Sequence, residues 1–228
     1  MRTLLRFLIL LAFTAGAVDY SFSANDPAAR GMAASIKRSL SLMSPVYYKV
    51  GNYYGAYGFN SGAGVVLGTG KIGFLPFVVF PPGITISAIG VQLNTASAGG
   101  NLQLAVYNDV AGIPDGAALG STASQSTTAT STYSLALGGN VPLVPGRYWL
   151  AINFDNAVAV AEGVVATTSA ASGRIGSSVL GNALFSSGIV GKTTTQTFGT
   201  WPNATGLTYA DSSQTSIPYL VVLVASVP

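Results

Sequence analysis

The sequence predicts an all-β protein: an antiparallel, jelly-roll-like β-sandwich preceded by an N-terminal arm and a short helix. Three observations predict it. Turn-formers recur along residues 71–228. Between them lie short runs in which apolar residues alternate with polar ones, the period of a half-buried strand. No helical periodicity follows residue 45. Strands of this kind bury their apolar faces by stacking one sheet on another. A chain of 228 residues is long enough to do so, since it should bury roughly 70% of its unfolded surface.

Composition removes whole chemistries. The chain has no Cys and no His. Disulfides, zinc-thiolate sites, imidazole ligands and the Ser-His-Asp triad are therefore excluded. Charged residues are 7% of the chain, against about 25% in an ordinary soluble domain. Their distribution is uneven. Residues 1–50 hold Arg2, Arg6, Arg30, Lys37, Arg38 and Lys49 against Asp19 and Asp26, a balance of +4. Residues 51–228 hold Lys71, Arg147, Arg174 and Lys192 against Asp109, Asp115, Asp155, Glu162 and Asp211, a balance of −1. That larger part has no basic stripe, so no nucleic-acid partner is expected. Its nearly chargeless surface suits a subunit packed among copies and partners.

Residues 1–50 form the first region. Arg2 and Arg6 precede an apolar run from Phe7 to Val18 that includes Leu8, Ile9 and Leu10. The run fits the hydrophobic part of an export signal and is too short for a membrane span. We expect a retained arm, held by partner subunits. A short helix follows. Asp26 caps it, Pro27 fits its first turn, and Pro45 stops it. Met32, Ile36, Leu40 and Met43 fall on one face. That stripe serves equally for packing on its own domain or for docking a partner. Residues 51–70 are rich in Gly and Tyr and read as a linker without a phosphate-loop spacing.

The β body occupies residues 71–228. Phe74 to Phe80 is an apolar strand closed by Pro81-Pro82-Gly83. Ile84, Ile86, Ile89, Val91 and Leu93 alternate, with a break near Ala88 that predicts a bulge or bend. Gly99-Gly100-Asn101 reads as a hairpin turn. Leu102, Leu104 and Val106 then face one side, with Gln103, Ala105 and Tyr107 on the other. Asn108 to Gly116 reads as a loop, and Ser121 to Thr132 as an exposed polar strand or loop. Tyr133, Leu135 and Leu137 alternate before a Gly138-Gly139-Asn140 turn. After Pro145-Gly146, Tyr148, Leu150, Ile152 and Phe154 face one side while Arg147, Trp149, Ala151 and Asn153 face the other. Ile217 to Val224 is a final β-prone segment.

These residues resemble a β-sandwich domain of bacteriophage virion proteins of the tail-fibre and minor tail type. The elements that carry the resemblance are the strand with Pro76 and Phe77, the strand with Ile89-Gly90, the hairpin from Leu104 to Gly116, and "PGRYWLAI" at Pro145 to Ile152. Coverage is roughly residues 71–228. The chain departs from the pattern at Pro114-Asp115-Gly116, where the family usually has Pro-Gly. The resemblance implies a non-enzymatic structural protein on the outside of a virion, often trimeric, that contacts a host glycan or receptor. A head fibre or capsid decoration protein is a variant of this expectation. An exported carbohydrate-binding module is an alternative of another class.

Candidate contact residues are Tyr107, Trp149, Phe198, Trp201 and Tyr209, since aromatic rings stack on sugar C–H faces. Rings on the face opposite a core more often fill a second interface. Asn108, Asp109 and Asp115 could offer oxygens to Ca²⁺, yet such residues also make ordinary turns. Asp155 and Glu162 could be weighed as a glycosidase pair, but seven acids without a cluster argue against it. Asn203-Ala204-Thr205 matches a glycosylation sequon, read as a chance match without a eukaryotic secretory context. No catalytic residue, cofactor or metal is expected. Candidate anchoring residues are Phe7, Leu8, Ile9, Leu10, Met32, Ile36, Leu40 and Met43.

Overall fold

A computed structural model describes residues 48–55, 59–65, 67, 69–155, 160–166, 189–213 and 217–228. All of them belong to one unit, Ser44–Pro228. The expected arm and helix, with Phe7, Leu8, Ile9, Leu10, Met32, Ile36, Leu40 and Met43, lie outside the described residues.

The described residues form thirteen strands and no helix: β1 (Tyr53–Gly55), β2 (Phe59–Val65), β3 (Lys71–Val79), β4 (Ile84–Thr95), β5 (Asn101–Val110), β6 (Ile113–Ser121), β7 (Gln125–Ser126), β8 (Ser131–Leu143), β9 (Gly146–Phe154), β10 (Val160–Ala166), β11 (Ile189–Thr195), β12 (Ala210–Ser213) and β13 (Val221–Ser226). They make two antiparallel sheets. The first runs β1-β13-β4-β10-β2, with β8 on the other edge of β4. The second runs β12-β11-β3-β9-β5-β6, with β7 also on β5.

The two sheets share one core. Leu75, Phe77 and Val79 of β3, Leu102, Leu104 and Val106 of β5, and Tyr148, Leu150, Ile152 and Phe154 of β9 meet Ile84, Ile86, Ile89, Val91 and Leu93 of β4 and Val222 and Val224 of β13. The alternation read from β5 and β9 is what sets this layer, because period 2 sends every second side chain inward. Strand β3 is apolar on both faces, and both faces are buried. The bulge expected near Ala88 is present: the β4–β8 register jumps from Ile86↔Val141 to Ala88↔Ala136.

Three local expectations are corrected. Residues 51–70 are not merely a linker, since they supply β1 on β13 and β2 on β10. Gly99-Gly100-Asn101 turns the chain but makes no hairpin, because β4 and β5 enter different sheets. The crossing is tied by Ser97 N to Thr127 O (2.8 Å), Thr127 N to Gly100 O (2.8 Å), and the Asp155 carboxylate, which accepts from Asn101 N (2.6 Å) and Nδ2 (2.7 Å). Gly138-Gly139-Asn140 lies inside β8 rather than between strands. There β8 bulges away from β4 between Ala136 and Val141, and Leu137 bridges to Thr122.

Candidate attachment surface

The outer face of the second sheet carries its own apolar layer. Ile72 and Phe74 of β3, Ala105 and Tyr107 of β5, and Trp149 and Ala151 of β9 are all buried there. What covers them is a strap, residues 196–209, that crosses the sheet between β11 and β12. Ala204 is buried in the layer, and Trp201 and Tyr209 pack against it. Phe74 meets Tyr107 and Tyr209 edge-on at 5.6 Å between centroids, and Trp201 meets Tyr107 at 6.3 Å. Offset and edge-on arrangements of this kind are the favoured ones for aromatic rings.

The candidate aromatics are thereby sorted. Tyr107, Trp149, Trp201 and Tyr209 come together, while Phe198 sits partly buried at the turn that opens the strap. Tyr107 and Trp149 are fully buried, which corrects their place among receptor contacts. Their faces were read correctly as pointing away from the main core, but the strap occupies the space a ligand would need. Trp201 and Tyr209 are half-buried members of that cover. The Trp201 indole Nε1 is buried without a protein partner.

Polar bonds fasten the strap to the β5–β6 hairpin. Tyr107 Oη donates to Pro202 O (3.0 Å), and Ala204 N donates to Gly116 O (2.7 Å). Tyr209 Oη lies 2.9 Å from Ala204 O and 3.2 Å from Pro114 O. Thr205 Oγ1 accepts from Gly116 N (3.1 Å) and donates to Asp115 Oδ1 (2.8 Å). Asn203 of the sequon accepts from Thr205 N (3.0 Å), a local turn. Burial raises the Tyr107 hydroxyl well above its ordinary pKa of 10. Burial first, and then the nearby Asp115, push the Tyr209 hydroxyl up to about 12.

The stretch from Asn108 to Gly116, a loop by its turn-formers and part of a hairpin by the resemblance, is a tight hairpin. Asp109 pairs with Pro114 and Val110 with Ile113, leaving only Ala111-Gly112 to turn. Both turn residues have positive φ, 53° and 84°, the signature of the turn that matches strand twist. Asp109 holds this tip. Its Oδ1 accepts from Trp149 Nε1 at 2.7 Å, its Oδ2 accepts from Gly112 N at 3.2 Å, and the Arg147 guanidinium is 4.0 Å away. Sequence reasoning missed this role. Trp149 and Asp109 are 40 residues apart, and only the β5–β9 register brings them together.

Chemically, the arrangement is a braced contact tip. Val110 is 53% exposed and Ile113 40%, so the hairpin ends in two apolar side chains that water must solvate. The Asp109 and Asp115 carboxylates already accept protein donors. Asp155 is committed to Asn101, and Glu162 lies on β10 opposite Gly64. Among the described residues no group of three potential metal-ligating side chains occurs, and no helix is long and apolar enough to cross a membrane.

Fold and surface together define a charge-poor, two-sheet β-sandwich with a strapped outer face and a braced apolar hairpin tip. Comparison with known protein families, with curated proteins and with solved structures finds no match to this chain.

Proposed function

We propose that this chain is a non-enzymatic structural subunit of a bacteriophage virion, of the tail-fibre or tail-associated kind. Its N-terminal region anchors it among other virion proteins, and its sandwich is presented for attachment to the host surface. In this reading the subunit works as a homotrimer on the particle exterior. A jelly-roll-like sandwich is part of this reading, and it is supported by the chain's passages between sheets at residues 80–83, 96–100, 127–130 and 144–145.

One observation carries the reading. The segments that resemble phage sandwich domains are not scattered through the fold. The Pro76-Phe77 strand, the "PGRYWLAI" strand and the Leu104–Gly116 hairpin are β3, β9 and β5–β6, successive neighbours in one sheet. Ile89-Gly90 lies on β4, which packs across the core from them. The resembling parts thus form one contiguous unit, as a shared domain requires. Its charge-poor surface and braced apolar tip suit a subunit that works by contact.

Purified particles test the proposal. A tagged copy of the chain, detected with gold-labelled antibody in electron micrographs, is expected at the tail or its fibres. Label on the head would replace tail attachment with capsid decoration. Absence of the chain from purified particles would overturn the virion reading.

A further inference from the structure

With Tyr107 and Trp149 buried, an exposed ring stands on the other sheet. Tyr53 of β1 is 47% exposed, and its hydroxyl donates to Ser134 Oγ on β8 at 2.6 Å. Between β1 and β8 stand β13 and β4. Three strand spacings amount to about 14 Å, more than an upright tyrosine can reach. The side chain therefore lies down across the outer face of the first sheet. Val221 and Leu223 of β13 and small residues of β4 and β8 make the bed. Gly90 pairs with Ser134 and Ala88 with Ala136, and a Cβ built on Gly90 would stand 3.7 Å from Tyr53 Cε1. At 47% exposure the ring leaves aromatic surface open to solvent.

The surroundings of this ring combine the half-buried Val221 and Leu223 of β13 with uncharged polar side chains. Period 2 and the register place Gln92, Thr132 and Ser134 on the same outer face, and Gln92 and Thr132 are exposed beside it. Gln92 Nε2 donates to Asn94 Oδ1 at 3.2 Å, which orders the amide. Strands β1, β4, β8 and β13 contain no charged residue at all. A face of aliphatic side chains, amides and hydroxyls around an exposed aromatic, with no cation on its strands to receive a carboxylate or sulfate, complements a neutral polyhydroxylated ligand.

We infer that the outer face of the β1-β13-β4-β8 sheet is a binding platform for neutral hexose oligosaccharides, with Tyr53 as the stacking ring and Gln92, Thr132 and Ser134 as its polar rim. This deepens the attachment role and rests on that reading for the source of the glycan. Tyr53 was legible only as part of a Gly/Tyr-rich stretch, because nothing local to it indicates a β strand or a partner on β8.

Saturation-transfer NMR on the full chain with maltohexaose, cellohexaose and mannohexaose tests the platform, with sialyllactose as the charged comparator. At least one hexaose is expected to bind in preference to sialyllactose. Tyr53→Ala is expected to weaken that binding at least tenfold, and Tyr53→Phe to stay within threefold. Since loss of the ring could also unseat β1, Gln92→Ala is the second variant. It should weaken binding at least threefold with the melting temperature unchanged. Binding of none of the hexaoses, preference for sialyllactose, or affinity untouched by both alanine variants would overturn the inference. A chain found on particles that binds no hexaose removes the platform alone. A chain absent from particles that binds one removes the virion reading and leaves the platform.

Discussion

Ala111 carries a conformational cost in plain view. Its φ of 53° is in the left-handed region, which costs a residue with a Cβ about 1–2 kcal/mol. Asn tolerates that region better, and Asn-Gly is the favoured pair for a two-residue hairpin. Ala111→Asn is therefore expected to stabilise the chain by about 1 kcal/mol. A urea midpoint that does not rise, at unchanged slope, would contradict it. Asp109 is the other decisive residue of the tip. Its side chain is only 10% exposed, and Trp149→Phe takes away the indole donor at 2.7 Å. A nearly buried carboxylate left short of a donor costs about 1–3 kcal/mol. The same urea titration measures it, and a loss below experimental error would show that Arg147 and Gly112 N suffice. Sequence alone fixes the side of the sheet on which Trp149 stands. It could not supply the carboxylate partner, because that depends on which strand lies next to β9.

Among the elements, the strap offers the sharpest contrast between what periodicity shows and what it hides. Strands β3, β4, β5, β9 and the end of β13 announce themselves by alternation or by continuous apolar runs. Residues 196–209 form no strand, and their task is set by the two tyrosine hydroxyls and the Thr205 hydroxyl that tie them to the hairpin. Strand β1 was hidden for a related reason: three residues are too few for a period to show. Turn residues, in turn, mark where the chain bends without telling which sheet receives the next strand, as the Gly99-Gly100 crossing demonstrates. The strap also makes alkaline stability a readable property. In the unfolded chain the tyrosines ionise near pH 10, whereas in the fold Tyr209 holds its proton up to about 12 and Tyr107 is raised as well. The folded state thus binds more protons between those values. Its extra stability is complete below pH 10 and is lost as pH rises through the folded pKa. Urea midpoints at pH 8, 10 and 11.5 should fall most steeply over the last interval. Tyr209→Phe should lower the midpoint at pH 8, through the lost hydroxyl contacts, and flatten the alkaline decline. A variant with the same alkaline slope as the parent would remove Tyr209 from this account.

At the scale of the whole molecule the scarcity of charge becomes a statement about association. Only two ion pairs occur among the described residues, Arg147–Asp109 and Lys192–Asp211, and four strands of the first sheet carry no charge. Copies of the sandwich therefore have little complementary charge with which to find one another, and little like charge to keep them apart. If the subunit assembles as proposed, its interfaces must rest on apolar area and hydrogen bonds. Sodium chloride screens exposed charges over a Debye length that shrinks from about 10 Å at 0.1 M to about 3 Å at 1 M. An interface built on charge pairs loosens over that range, whereas an apolar one holds or tightens. Sedimentation velocity of the full chain at 0.1 M and 1 M sodium chloride should show an oligomer fraction that stays constant or grows. Dissociation to monomer at 1 M would mean that the basic residues 1–50, which carry a balance of +4 against −1 for the rest of the chain, make the contacts electrostatically. The charge-poor body would then be a passive passenger in assembly, and its uncharged strands would be left with ligand contact as their remaining use.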